Sequence, residues 1–377
     1  MEKIIPRVAC WLILFLFLSL ALLSIVTNLA VASEDGVYTY AVEGVPAHAN
    51  ITGYHGIGGA IAIPSSLGGF PTVEIGTRAF YHTNGLTSVV IPGSVKVIGG
   101  YAFGSCTALT SVTIGDNVTT IGPYAFARCI SLTNATIPAG VVSIGDAAFA
   151  QCTAMTSITV IGNASSIGNG TFAACTSLST VHMLGNVTGI GTAAFEFCSN
   201  LTSIAIPDSV SSIGEGAFAG CQSLSSIVIP NNVTKMDDDL FGNCNALVSV
   251  AMPEDTTSIG NGTFGDCTSL TSITIPGNVT GICDYAFVGC SSLISMTFDG
   301  NAPAVGTNWT QGCNNLTTYY HLGKTGFTTP MWNGVPTKVI PEETGDMERM
   351  LVIVAAILMA AIILISAVWL VRRRKKA

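Results

Sequence analysis

Residues 98–120 read IGGYAFGSCTALTSVTIGDNVTT, and this stretch recurs down most of the chain with a step of 23 residues. Cysteine keeps the step at Cys106, Cys129, Cys152, Cys175, Cys198, Cys221, Cys244, Cys267, Cys290 and Cys313. Phenylalanine keeps it from Phe80 through Phe103 and Phe126 to Phe287, and leucine from Leu86 to Leu316, with Met155 its substitution. Nothing is inserted between Phe80 and Leu316, so each copy is read as one turn of a solenoid stacked on the turn before.

Written from its cysteine, the unit is C-x-x-L-x-x-[IV]-x-[IVM]-P-x-x-V-x-x-I-G-x-x-A-F-x-x. Ser111-Val112-Thr113-Ile114 alternates polar and apolar, the period of a strand with one buried face. Pro92, Pro138, Pro207, Pro230, Pro253 and Pro276 follow that strand and end its pairing, because proline has no N–H to give. A second short β piece is expected from Val118 to Ile121, with Gly122 permitting the turn after it. Tyr124-Ala125-Phe126 then closes the coil as a loop or single helical turn, with small Ala102, Ala125, Ala148, Ala194 and Ala217 marking close backbone approach. One coil cannot bury its Phe, Leu and Ile alone, whereas stacking turns those columns into a continuous core. The expected fold is a parallel β-solenoid of the leucine-rich-repeat kind, about ten coils long, on the order of 50 Å at the spacing of paired strands.

The pattern IPxxVxxIGxxAFxxCxxLTSIxIP closely resembles the BspA-type leucine-rich repeat, the 23-residue class found in surface proteins of bacteria, archaea and some protists. The flanks resemble that family too: Ile63-Pro64-Ser65-Ser66-Leu67-Gly68-Gly69-Phe70-Pro71 looks like its opening coil, and Tyr319-Tyr320 with Thr328 to Gly334 like its closing cap. The resemblance covers roughly residues 38–340. It implies a non-enzymatic surface protein that adheres to host matrix, mucosal proteins or other cells.

The ends carry membrane signals. Lys3 and Arg7 precede an apolar run from Val8 and then Ala30-Val31-Ala32, so residues 1–32 are read as a secretory signal peptide, or, if uncleaved, as an anchor. A cap is expected over 33–73, repeats over 74–316, a second cap over 317–340 and an acidic stalk over 341–349. Residues 350–371 hold 22 consecutive uncharged positions, enough to span a bilayer. Arg372, Arg373, Arg374, Lys375 and Lys376 follow, which puts the tail 372–377 in the cytoplasm and the repeats outside a single-pass membrane protein. Ile340-Pro341-Glu342-Glu343-Thr344-Gly345 resembles a sortase signal, with one extra residue before Thr344 and Ile in place of Leu. Covalent wall attachment is thus the alternative to a retained helix.

Between Ser33 and Arg349 stand 21 acidic and 7 basic residues, a balance of −14 against −8 for the whole chain, which disfavours nucleic acid and anionic lipid as partners. Stacked, equivalent cysteines lie about one strand spacing apart, beyond the roughly 3.8 Å Cβ separation of a disulfide. The ten are therefore read as free core thiols. Cys283 lies off the ladder, in the turn-glycine column, as the thiol expected to be exposed. No CxxC, HExxH, GxSxG or P-loop pattern is present, so no cofactor, metal or catalytic site is assigned. Asp237-Asp238-Asp239 interrupts an Ile-Gly turn; a solvated turn is preferred over a calcium site.

What remains is a surface. The outward strand column runs Val90, Thr113, Thr136, Thr159, His182, Ala205, Val228, Ala251, Thr274, Thr297, Tyr320, with serine mostly two residues earlier. Ile161 and Leu184 replace proline on adjacent coils beside His182. The candidate partner-binding face is Thr113, Thr136, Thr159, Ile161, His182, Leu184, Ala205 and Val228, its partner an extracellular protein or glycoprotein. Asn117, Asn163, Asn186, Asn232 and Asn278 share one column of N-x-[ST] sequons, the candidate glycosylation sites in a host that glycosylates. The rivals to adhesion are a passive envelope coat and a carbohydrate-binding module. The latter wants exposed aromatics, of which the strand column offers Tyr320.

Overall fold

The computed structural model describes residues 31–341, and throughout them the chain winds as a right-stacked series of short strands and turns. The first strands are antiparallel: β1 (Val31–Asp35) pairs with β2 (Tyr38–Glu43), and β2 with β3 (His48–Tyr54). The expected cleavage junction between Ala32 and Ser33 falls inside β1, so cleavage would leave the pairs Ser33–Tyr40, Glu34–Thr39 and Asp35–Tyr38. Segment β3 then pairs in parallel with Phe70–Ile75, and every later coil stacks in parallel on its predecessor. This hairpin blocks the open edge of the first coil, which would otherwise template further pairing.

Two strand ladders follow the rod, each in separate segments. The longer strands, Gly59–Ala62, Leu86–Val90, Ser111–Thr113, Asn134–Ile137, Ser157–Val160 and Thr180–Met183, form one parallel sheet. Two-residue strands such as Val97–Ile98, Thr120–Ile121 and Ser143–Ile144 form the second. A third side is built of turns, whose N–H groups alternate in destination. In one coil Tyr101, Phe103 and Ser105 donate forward to the carbonyls of Pro123, Ala125 and Ala127, at 2.7–2.9 Å. Ala102, Gly104 and Cys106 donate back three residues, to Gly99, Tyr101 and Phe103. Each turn thereby satisfies its own backbone and its neighbour's, as burial requires.

The alternation demands left-handed backbone at two places per coil. One column is Arg78, Tyr101, Tyr124, Ala147, Gly170, Ala193, Gly216, Asp239, Gly262, Tyr285 and Asn308; the other, four residues on, runs from His82 through Ser105 and Arg128 to Gly312. The glycine of the Ile-Gly pair does a different task from the one its sequence suggests. A Cβ on Gly122 would stand 2.7 Å from Gly100 N and 2.8 Å from Gly99 C. That glycine admits the backbone of the previous coil, and the turn is made two residues later, at Tyr124.

Inside the coils the Phe column stacks as a continuous aromatic ladder, centroids 4.8–5.9 Å apart from Phe80 to Phe287. Tyr54 stacks on Phe80 at 4.9 Å at one end, and Trp309 and then Trp332 close the other. The Leu and Cys columns lie beside it, buried.

The rod comprises about thirteen turns rather than ten. Gly59–Ala62 already pairs in parallel with Leu86–Val90, and both Thr317–His321 and Val335–Ile340 continue the strand sheet. The segments expected to be caps thus add coils of their own, and only their hairpins, β1–β3 and Met331–Trp332 against Val335–Ile340, are caps in the strict sense. No helix among the described residues is long and apolar enough to cross a membrane. The expected span 350–371 and most of the expected signal peptide lie outside them.

Candidate functional site

The strand side presents its outward residues in register: Val90 opposite Thr113, Thr136 opposite Thr159, and Thr159 opposite His182. Thr113, Thr136 and His182 are exposed and Thr159 half-buried. Val228 pairs with Ala251 and Thr274 with Thr297. Ala205 is exposed but lies in no strand, because the pairing lapses between Met183 and Ser226 and again between Ala251 and Ser272. The coil in the first gap still carries Ile204 and Ile206 at its core positions. The expected unbroken face is therefore three shorter ones. Shallow grooves open at the joints, one of about 410 Å3 between Ala205, Asp208 and Val228, another of about 550 Å3 between Ala251, Glu254 and Thr274.

Ile161 and Leu184 lie just past the strands of neighbouring coils, 40% and 69% exposed, and Val228 is 69% exposed. The structure brings Ile161, His182 and Leu184 together on adjacent coils, while Val228 stands two coils beyond Leu184. Tyr320 leaves the outward column. The coil shortens by one residue after Leu316, so Tyr319 pairs with Thr297 and Tyr320 with the inward Phe298. There Tyr320 stacks on Phe327 at 4.4 Å and helps close the core.

The cysteine ladder is free thiol, as expected, but each thiol also donates a hydrogen bond. Cys106 Sγ lies 3.1 Å from Phe80 O, Cys129 Sγ 3.2 Å from Phe103 O, and the relation repeats to Cys313 and Phe287 O. Burial pushes the Cys106 and Cys221 thiols up to about 12 and raises Cys129, Cys244 and Cys267 as well. Cys283 is exposed. In a chain carrying Cys10→Ser, a thiol-reactive dye at pH 8 is expected to label Cys283 within minutes and half-buried Cys313 more slowly, leaving the buried ladder unlabelled until denaturant is added. Mass mapping of the labelled peptides checks this, and rapid labelling of Cys198 or Cys221 would contradict it.

The acidic run is accounted for by the backbone. Asp238 accepts from Asn261 N at 2.7 Å and from Asn261 Nδ2 at 2.9 Å, and the same column links Asp146 to Asn169 and Asp284 to Thr307. Burial first, then Asp238, raises the Asp237 carboxyl, with Lys235 opposing. Among the described residues no cluster of three or more His, Cys, Asp or Glu side chains could hold a metal ion. The sequon column is exposed, and its asparagines already serve the stack. Asn117, Asn232 and Asn278 donate from Nδ2 to the carbonyls of Gly93, Asp208 and Glu254, and Asn163 accepts from Asn186 N.

Sequence reasoning missed a row of tyrosines on the turn side. Tyr101 and Tyr124 stack at 4.6 Å with 6° between planes, and Tyr81 meets Tyr101 edge-on. The signal was present in the left-handed column, where these coils carry Tyr and later ones mostly carry Ala, Gly or Asp.

These features define a leucine-rich-repeat solenoid. The profile of the BspA type leucine rich repeat region, in six copies, matches residues 73–202 and 188–317, so the chain belongs to that family. Similar solved structures include a leucine rich cell surface protein from Faecalibacterium prausnitzii, at 27% identity over 83% of this chain and 99% of that one, TM-score 0.49. A leucine-rich repeat protein from Bacteroides ovatus matches at 24% identity over 82% and 99%, TM-score 0.42. The pneumococcal vaccine antigen PcpA matches at 16% identity over 84% and 95%, TM-score 0.49. No curated protein matches the chain.

Proposed function

We propose that this protein holds its repeat rod outside the cell and adheres, through the strand side of its central coils, to an extracellular protein or glycoprotein. It has no catalytic role in this reading, and the segment 350–371 with its basic tail anchors it. The observation that carries the reading is the exposure of Leu184 and Ile161 where neighbouring coils have proline, beside exposed His182. Apolar side chains grouped on a rigid surface favour protein contact. Membership of the BspA-type family supports display, and the net negative surface argues against nucleic acid.

The test is binding of the full chain, in detergent micelles, to immobilised matrix proteins, mucins and intact cells. Saturable binding is expected, weakened at least tenfold by His182→Glu with Leu184→Glu, the fold being checked by circular dichroism. Binding that survives the double substitution moves the contact elsewhere on the rod. Absence of binding to every target makes the rod a passive coat.

A further inference from the structure

The turn side of the first coils carries a second, separate surface. Its cleft, of about 350 Å3, is lined by Tyr81, Tyr101, Tyr124, Arg128 and Gln151, a volume within the range of small-molecule sites. Three features come together here.

The first is aromatic. Tyr101 and Tyr124 stack face to face at 4.6 Å, and Tyr81 stands edge-on against Tyr101, giving a stacked row whose ends, Tyr81 and Tyr124, are exposed. Gly104 makes room for the row: a Cβ there would stand 3.1 Å from the Tyr81 ring and 3.3 Å from that of Tyr101.

The second is charge. The described residues include just two arginines, Arg78 and Arg128, and both flank this platform on a chain that is otherwise acidic. The Arg78 guanidinium lies over the rings of Tyr81 and Tyr101, at 5.7 and 5.4 Å. Arg128 Nε donates to Gln151 Oε1 at 3.0 Å, which holds its fork at the cleft. Among the described residues neither arginine has a carboxylate within ion-pair distance.

The third is backbone. Arg78, Tyr101, Tyr124, Arg128 and Gln151 all sit at left-handed φ of 55–61°. Coils further along meet the same demand with Gly170, Gly216, Gly220, Gly262, Gly289 and Gly312 or with small and polar residues, Phe197 and Tyr285 being the large exceptions. A large side chain in that conformation is unfavourable, and such strain is kept where the side chain has a task.

We infer that the tyrosine platform and its two arginines form a binding site for a carboxylate-bearing pyranose, a uronic or sialic acid residue of a glycan. The C–H face of a sugar ring suits the exposed ring of Tyr124, which ends the stack beside Arg128 and Gln151. The planar guanidinium matches a carboxylate with two parallel hydrogen bonds, which an ammonium would not supply. A neutral sugar would leave both guanidinium charges unanswered, and a plain polyanion would make no use of the rings. The site is independent of the strand-side adhesive surface, on a different side of the coils.

The experiment is isothermal titration of the full chain in detergent with trigalacturonate, 3′-sialyllactose, neutral galactotriose and tetraglutamate. Saturable binding of one of the two acidic sugars, at least tenfold tighter than galactotriose and tetraglutamate, is expected. Tyr124→Gly and Arg128→Gln should each weaken it tenfold or more. The melting temperature of Tyr124→Gly should fall little, since relief of the left-handed backbone offsets the lost stack on Tyr101; Tyr124→Asn, also tolerant of that backbone, repeats the test with a side chain present. Galactotriose binding as tightly as the acidic sugars would overturn the proposal. So would equal binding of tetraglutamate, affinity unchanged in both variants, or no binding of either acidic sugar.

Discussion

Raising the pH from 9 to 11 under reducing conditions is expected to unfold the rod. Burial raises the pKa of seven ladder thiols, Cys106, Cys129, Cys152, Cys198, Cys221, Cys244 and Cys267, and Cys290 is raised first by its hydrogen bond with Cys313, which lowers Cys313 in turn, and then by burial. A group whose folded pKa lies above its unfolded value stabilises the native state fully below the unfolded pKa and loses that contribution as pH rises. For these thiols the window opens near pH 9, where the unfolded chain begins to ionise, and extends to about 12 for Cys106 and Cys221. Within it each thiol removes about 1.4 kcal/mol per pH unit. Two or three coils unfolding together would therefore lose roughly 3–4 kcal/mol per unit, a large share of the roughly 5–15 kcal/mol that holds a domain. A variant with Cys198, Cys221, Cys244 and Cys267 all changed to Ser keeps a donor for each Phe carbonyl and removes four titrations. Its stability should fall with pH much less steeply above pH 9, as read by circular dichroism. An unchanged slope would assign alkaline unfolding to tyrosines and lysines instead.

The ladder shows what the sequence could and could not reveal. A cysteine repeated every 23 residues is legible as a buried column because burial is periodic with the coil. That it donates to the phenylalanine carbonyl of the previous coil is a relation of 26 residues across the stack, invisible along one copy. The Phe and Leu columns were legible for the same reason as the cysteines. The Gly122 column was read for the wrong property. Sequence shows that a side chain is unwelcome there, but not whether conformation or a neighbouring backbone excludes it, and here it is the backbone of Gly99 and Gly100.

Departures from the repeat were harder still. The one-residue shortening after Leu316 moved Tyr320 from the outer column to the core, since a single-residue change of register exchanges the two faces of a strand. On the candidate surface, Ile161 and Leu184 were legible because proline is missing there, and exposure agrees. The interruptions at Ala205 and after Ala251 were not, because Ile204, Ile206 and Met252 still satisfy an apolar pattern. The tyrosine platform escaped notice because turn-side columns vary freely. Only the knowledge that Tyr101 and Tyr124 stand at left-handed φ makes their size informative.

Replacing Phe195 by alanine is expected to divide the rod into two separately melting halves. Phe195 is fully buried at the middle of the aromatic ladder, 5.3 Å from Phe172 and 5.6 Å from Phe218. Phe→Ala in a core costs about 3–5 kcal/mol, including the cavity that remains. Each lost stacking partner carries roughly 0.5–1.5 kcal/mol of that. In a globular core the loss would lower one cooperative transition. In a solenoid, stability is close to a sum over neighbouring interfaces, so the loss falls on the two interfaces that couple Phe172 to Phe218. Weakened by several kcal/mol, those interfaces no longer transmit unfolding from one half to the other. Calorimetry should resolve two transitions in Phe195→Ala, and hydrogen exchange should show protection lost first in the coils beside residue 195. Phe80→Ala, at the end of the ladder against Tyr54, should instead fray the first coil and leave a single main transition little changed. A single transition lowered equally by both substitutions would show that the rod folds as one cooperative unit.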